Sequence, residues 1–149
     1  MLAVAAVAVA AAGCLPDNQG AVGPTDPARN TIFQDINAQR RANGLPDLGY
    51  SPKLDFDASI WAAIMGQRQS LQHQDLNALL AKPDHSAFWT LGENILVGPW
   101  YMNWHDVVTL FMGSPVHRDN ILNRNYTVVG VGTSYNHGGL WVSVVFGGL

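Results

Sequence analysis

Apolar residues recur at helical spacing along much of the chain, and the clearest run lies between residues 102 and 113. It opens at Met102 or Asn103, stops at Gly113, and has apolar side chains at i, i+3, i+4, i+7 and i+8. Those side chains are Trp104, Val107, Val108, Phe111 and Met112. The pattern predicts an amphipathic helix whose apolar stripe faces a core.

Three further helices are predicted from their start signals. The dipeptides at 26–27, 51–52 and 114–115 each pair an Asp or Ser N-cap with proline at the first helical position. The first of these helices is expected to stop at Asn43-Gly44 and the second around Gln72. The third is expected to be short.

The last part of the chain changes to patterning that is typical of strands. Residues 126–135 and 140–148 are rich in β-branched and aromatic residues, and the turn-type segment 136–139 joins them into a predicted hairpin. Residues 91–98, LGENILVG, predict a third strand. Helices before and between a few strands predict an α+β fold, and the nearly continuous apolar runs predict a sheet covered on both faces.

The N-terminal segment predicts export. Residues 1–13 have no polar side chain and lead into Cys14, the single cysteine of the chain. The run is too short for a bilayer-spanning helix, which needs about 20 residues, and it is typical of a secretory signal. Because AAGC at 11–14 resembles a bacterial lipobox, we expect a lipoprotein-type signal peptide over 1–13 and lipidation of Cys14. The alternative is an ordinary signal peptide with an incidental cysteine.

Composition sets the domain count and restricts the partners. Residues 14–29 are rich in Pro, Gly, Asp and Asn without periodicity and predict a tether, which leaves one domain over 30–149. With 48% hydrophobic residues, this length suits one packed core. The net charge of −3 leaves no basic face, so we expect no nucleic-acid partner.

Three polar residues are candidates for chemistry: His73, Glu93 and His117. His117 lies in the first turn of the predicted short helix, where the helix dipole disfavours imidazolium and favours the neutral ring that ligates metals or accepts protons. Arg118 and Asp119, which follow it, are expected to tie this helix to the domain. The spacing matches no compact zinc signature, so a shared site and separate structural roles both stay open.

Longer segments resemble a known family. IFQDINAQRRANGLPDLGYSPKLDFDASIWAAIM, LQHQDL, LGENILVG, GSPVHRDNILNRNYTVVGVG and WVSVVFGG occur in this order. Their order and approximate spacing resemble those of bacterial members of the CAP superfamily, which comprises cysteine-rich secretory, antigen 5 and pathogenesis-related-1 proteins and is also called SCP-like. The resemblance covers about residues 30 to 148. It implies an α-β-α sandwich with a small, mainly antiparallel sheet covered by helices.

The resemblance also implies a cleft. Family members line it with two histidines and two acids, and by motif His73, Glu93 and His117 take three of those places. The second acid, which would take the fourth place, does not carry over, because Ser114 is the nearest polar side chain to its position. Val116 stands where bacterial relatives usually have glycine, and we expect it to narrow the mouth of the cleft.

Three functions stay open at this point. The first is an exported, lipid-anchored protein whose cleft binds a lipid or another small molecule, with a weakly held Zn²⁺ on His73 and His117 and a contribution from Glu93. The second is a peptidase-like hydrolase that uses Ser114, His117 and Glu93. The third is an interaction domain of the envelope that makes contact through WYMNW at 100–104.

Overall fold

The computed structural model of this protein describes residues 23–149. The predicted signal segment 1–13 and the predicted lipidation site Cys14 lie outside the described residues.

The helices begin where the capping signals predict. The α-helices of residues 23–149 are α1 (Pro27–Ala42), α2 (Pro52–Arg68), α3 (Leu76–Leu80), α4 (Trp104–Gly113) and α5 (Pro115–Ile121), and Pro83–His85 forms a 3-10 turn. The side chains of Asp26, Ser51 and Asn103 each accept a hydrogen bond from a backbone N–H in the first turn that follows. Asp26 caps α1, as the Asp26-Pro27 pair predicts.

One four-stranded sheet occupies the middle of the described domain. Its strands are β1 (Gly49–Tyr50), β2 (Thr90–Pro99), β3 (Val128–Asn136) and β4 (Gly139–Gly148), in the order β1-β3-β4-β2. β1 is parallel to β3, and the other two pairs are antiparallel. The predicted hairpin is therefore confirmed, and its two-residue turn has positive φ at both His137 and Gly138, as a type I′ turn requires.

The structure corrects the predicted end of the second helix. α2 stops at Arg68 and not near Gln72, because Gln69 adopts the left-handed conformation with φ of 49° and its N–H caps the carbonyls of the last turn. His73 consequently lies in the loop between α2 and α3. The sequence also missed α3, the 3-10 turn and the two-residue strand β1.

Helices cover both faces of the sheet, as the apolar strand patterns predict. On one face α1, α4 and α5 pack against alternate residues of β3 and β4, including Val131, Val144 and Phe146. On the other face α2 and α3 pack against the residues in between, including Val128 and Val145. The expected α-β-α sandwich is thus confirmed.

The helix α2 approaches the sheet so closely that side chains are excluded between them. A Cβ atom at Gly130 would stand 2.0 Å from the backbone nitrogen of Asp55, and one at Gly132 would stand 2.1 Å from the backbone of Ala58. Any larger residue at either position would force α2 away from β3, so the two glycines determine how closely this helix packs on the strand.

A buried arginine joins α1 to the chain between α5 and β3. Arg40 is 1% exposed, and its guanidinium donates to the carbonyls of Pro46, Ile121 and Asn123. Burial lowers its pKa from the usual value. These backbone acceptors hold a charged group inside the domain without a carboxylate in direct contact.

Within residues 23–149, no helix combines the length and the apolar character needed to cross a bilayer.

Phe111 tests the packing of α4. It is 1% exposed in the core beneath the sheet, so Phe111→Ala should lower the free energy of unfolding by about 3 to 5 kcal/mol through lost burial and a residual cavity. Leu110 is 51% exposed on the same helix, and Leu110→Ala is the matched control, with an expected change within about 0.5 kcal/mol. Urea denaturation measures both. A loss under about 1 kcal/mol for Phe111→Ala would contradict this packing.

Candidate functional site

Glu93 is the most buried and most fully bonded of the candidate residues. Its side chain on β2 is 0% exposed. One carboxylate oxygen, Oε1, accepts from Ser143 Oγ at 2.8 Å and from Gln74 Nε2 at 2.8 Å. The other, Oε2, accepts from the Gln74 backbone N–H at 3.2 Å and lies 2.8 Å from His73 Nδ1. Both oxygens are therefore committed to protein donors.

This arrangement fixes the ring of His73. Since Oε2 already accepts from Gln74, we assign the proton of the His73 ring to Nδ1, which then donates to Glu93. The side chain of His73 is 56% exposed, and no residue of the described chain is bonded to its Nε2. His73 thus offers one ring nitrogen to solvent while a buried carboxylate orients the other.

His117 reaches the same region from the opposite layer. It lies on α5, half-buried, with its ring packed edge-on against Phe111 at a centroid distance of 5.1 Å. Among residues 23–149, no hydrogen-bond partner contacts its ring nitrogens. Burial, and secondly the nearby charge of His73, lower the pKa of His117 below 6.5, so the ring is neutral at pH 7, as the sequence predicts.

Two asparagines connect the strand that carries Glu93 to the helix that carries His117. Asn94, fully buried, donates from Nδ2 to the backbone carbonyl of His117 at 2.9 Å. Asn120 on α5 donates back to Asn94 Oδ1 at 2.8 Å and to the Glu93 carbonyl at 3.1 Å. These bonds therefore fix the position of His117 on α5 relative to Glu93 on β2, an edge strand of the sheet.

The expectation for Arg118 and Asp119 is wrong. Both side chains are exposed, and neither makes a hydrogen bond or ion pair within the described residues. The neutral amide of Asn120 makes the tie, because it can donate to buried carbonyl oxygens without bringing a charge into the interface.

Ser114 begins α5 as predicted, but its hydroxyl is not engaged there. It lies at the N-cap position in an extended conformation without a side-chain capping bond, and it also ends α4 through its N–H. In the described part of the chain, no hydrogen bond joins Ser114 Oγ to His117. The nucleophile–base contact that the hydrolase hypothesis needs is therefore absent from this arrangement.

The geometry limits the metal-binding options. Residues 23–149 contain no group of three or more His, Cys, Asp or Glu side chains arranged to hold a metal ion. Glu93 contacts His73 and Gln74 with its carboxylate oxygens. It therefore orients His73 and is not placed to be a third ligand of a metal ion. The imidazoles of His73 and His117 remain as the available donors.

An apolar cavity opens beside this cluster. It lies between α2 and α3, has a volume of about 300 Å³, and includes Gln74, which holds Glu93, in its wall. Its apolar wall is formed by Phe56, Ile60, Trp61, Ile64, Ala78 and Leu79. A cavity of this size and lining suits part of a small apolar molecule.

A second cavity, of about 470 Å³, lies around Arg29 and Asp55, away from the three candidates. Its charged groups are already paired, since Arg29 donates to both Asp55 and Ser59. Burial raises the pKa of Asp55, and burial together with the Asp55 charge raises the pKa of Tyr50 to about 12. These groups serve the packing of α1 and α2 on the sheet.

Sequence reasoning identified the histidines and Glu93 but missed the residues that position them. Gln74 and Ser143 hold the carboxylate, and Asn94 and Asn120 hold the helix. Asn94 adjoins Glu93 in the GEN segment and Asn120 follows His117 in the HRDN segment, so an amide near each candidate was the available signal.

Comparisons with known proteins identify the class. The model of the family described as "CAP: Cysteine-rich secretory protein family" matches residues 33–146 of the chain. The chain belongs to this CAP family. It is also 31% identical over 120 residues to the uncharacterized protein YkwD of Bacillus subtilis (strain 168). That match spans 78% of this chain but only 46% of YkwD.

Solved structures share the fold at low identity. An outer surface protein from Borrelia burgdorferi has a TM-score of 0.75 at 20% identity, with 84% of this chain and 95% of that chain covered. An extracellular protein containing a SCP domain from Bacillus anthracis str. Ames has a TM-score of 0.69 at 22% identity, with 85% of this chain and 45% of that chain covered. These similarities establish the fold.

The coupling between the two histidines is measurable by NMR. His117 should titrate below pH 6.5, and His73→Ala should raise its pKa because one of the two causes of its lowering is removed. The pKa should still remain below 6.5, since burial is the larger cause. His105→Gln, which removes an exposed histidine paired with Asp35, is the control and should leave the His117 titration unchanged. An unchanged titration in His73→Ala would show that the two rings do not sense each other.

Proposed function

We propose that this chain is an exported CAP-domain protein of the cell envelope whose His73–Glu93–His117 cleft binds a small ligand. The observation that carries the proposal is the pairing of an exposed histidine with a fully buried carboxylate. Burying a carboxylate is costly unless it is compensated, and here four protein contacts compensate it while leaving His73 Nε2 exposed. Such a cluster suits recognition of a ligand at the exposed nitrogen.

The adjoining cavity supports a ligand with an apolar part. Gln74 contributes to both the polar cluster and the cavity wall, so one molecule that spans both would meet imidazole donors at one end and aliphatic and aromatic side chains at the other. A lipid or a similar amphipathic small molecule has this character. Val116 precedes His117 in the chain and is 72% exposed, and we expect it to narrow the entrance for such a ligand.

The donor set also fits a weakly held divalent metal. His73 and His117 would hold it, and imidazole nitrogens suit Zn²⁺. The contact of Glu93 with His73 Nδ1 is the outer-shell interaction that orients a ligating histidine. A bound Zn²⁺ would supply Lewis acidity toward a ligand oxygen. Because Zn²⁺ usually takes three or four protein ligands, two histidines predict a weak site.

Calorimetric titration with Zn²⁺ tests this site. The chain lacking residues 1–14 should bind no tighter than the micromolar range, roughly −8 kcal/mol, at pH 7.5. Binding should be lost below about pH 6, since imidazoles bind metals only when neutral. His117→Ala should abolish it. Glu93→Gln should weaken it by about 10- to 100-fold, because His73 would lose its orienting carboxylate.

His105→Gln provides the matched control for these titrations, because His105 is exposed and lies in a different cluster with Asp35. It should not change the affinity. Binding that survives both pH 5.5 and His117→Ala would remove the two-histidine site. If no binding occurs at millimolar Zn²⁺, the cluster is a hydrogen-bonded structural feature.

Attachment to the envelope rests on the N-terminal sequence. The lipobox-like AAGC at residues 11–14 and the polar segment behind it support a lipid on Cys14. A structural relative from Bacillus anthracis is described as extracellular, which is consistent with export of this chain.

Cell fractionation tests the anchor. Cys14→Ser should move the protein from the membrane fraction into the medium, because the only cysteine available for lipidation is removed. Ser70→Ala, a substitution in the folded domain, should leave the distribution unchanged. If Cys14→Ser is also without effect, Cys14 is not the anchor.

A further inference from the structure

Four aromatic residues gather at the end of the sheet where the β3–β4 turn lies. We call this group the aromatic tip: Trp100, Tyr101, Trp104 and Tyr135. Trp100 is 64% exposed, Tyr101 is 72% exposed and Tyr135 is 53% exposed, while Trp104 is half-buried against the core. Large exposed aromatic side chains in one place are characteristic of an interaction surface.

Two hydrogen bonds and one ring contact order parts of the aromatic tip. The backbone N–H of Trp100 donates to the carbonyl of Gly138 in the hairpin turn at 3.1 Å. Trp104 Nε1 donates to the hydroxyl of Tyr135 at 2.9 Å. The rings of Trp100 and Tyr101 meet edge to face with centroids 5.7 Å apart. A preorganised surface loses little conformational entropy on binding.

The segments that build the aromatic tip are uncharged. Residues 94–105 and 125–149 contain no Asp, Glu, Lys or Arg. Tryptophan and tyrosine combine an apolar ring with a polar N–H or O–H, and they are enriched where proteins meet the headgroup region of a bilayer. The aromatic tip therefore suits an amphipathic lipid interface, which requires no opposite charge.

The start of α1 lies at the same end of the domain. Asp26 and Arg29 line one cavity together with Thr133, two residues before Tyr135 on β3. From Gly23 back to Cys14 there are nine residues, which span at most about 30 Å. A lipid on Cys14 would thus keep the bilayer surface within reach of the aromatic tip.

We infer that the aromatic tip rests in the headgroup region of a phospholipid bilayer and orients the domain on the membrane. This inference rests on the proposed export and attachment to the envelope. With the tip in contact with lipid, the domain has a second membrane contact besides the anchor and a defined orientation of its cleft.

Vesicle sedimentation tests the surface without the anchor. The chain lacking residues 1–14 retains every described contact, since residues 23–149 contain both helical layers and the sheet. It should partition onto phosphatidylcholine vesicles equally at low and high salt. Combining Trp100→Ser with Tyr101→Ser should reduce the partition coefficient at least about tenfold, because burial of one aromatic side chain corresponds to roughly that factor.

Trp89→Ser is the matched control, because Trp89 is 59% exposed and lies just before Thr90, at the end of β2 opposite Trp100. It should leave partitioning unchanged. The inference is overturned if the parent chain does not partition at millimolar lipid, if the double variant binds like the parent, or if binding requires anionic lipid and disappears with salt. Tip-dependent binding to purified peptidoglycan in place of vesicles would assign this surface to a glycan. Since Cys14 is absent from the assay, each of these results is independent of the anchor test.

Discussion

The close packing of α2 on β3 determines where the rest of the domain can lie. Gly130 and Gly132 let the helix backbone approach the strand backbone until no side chain fits between them. That contact fixes the axis of α2, and the loop that leaves its C-terminal end carries His73 and Gln74 back to the sheet. A displaced α2 would withdraw the donors that compensate the buried carboxylate of Glu93, so a packing constraint at two glycines controls the electrostatics of the site.

The site is assembled from two helical layers on either side of the edge strand β2. α2 and the loop after it supply His73, while α5 supplies His117 from the opposite face, and β2 lies between them. The sheet separates the two helical layers, so contacts within one layer do not fix the position of the other. The hydrogen bonds of Asn94 and Asn120 fix α5, and with it His117, relative to β2. The relative position of the two histidines therefore depends on the side-chain amides of Asn94 and Asn120, which are uncharged and serve to position other residues.

Most of the fold could be predicted from the sequence because its signals are local. Asp26, Ser51 and Asn103 cap helices through atoms only two or three residues away, and the hairpin turn requires only the residues at 137 and 138. The predicted end of α2 was wrong because Gln69 adopts a left-handed conformation, which the residue type glutamine does not indicate. The positioning residues Gln74 and Ser143 could not be predicted, since their bonds to Glu93 join positions 19 and 50 residues apart.

The buried guanidinium of Arg40 has a consequence for how the chain folds. Two of its acceptors, the carbonyls of Ile121 and Asn123, lie 81 and 83 residues further along the chain. An intermediate in which α1 has docked before that segment arrives would bury a cation without its acceptors, which is unfavourable by several kcal/mol. The contacts of Arg40 therefore couple the docking of α1 to the arrival of residues 121–123, and we expect these two parts of the chain to become native together.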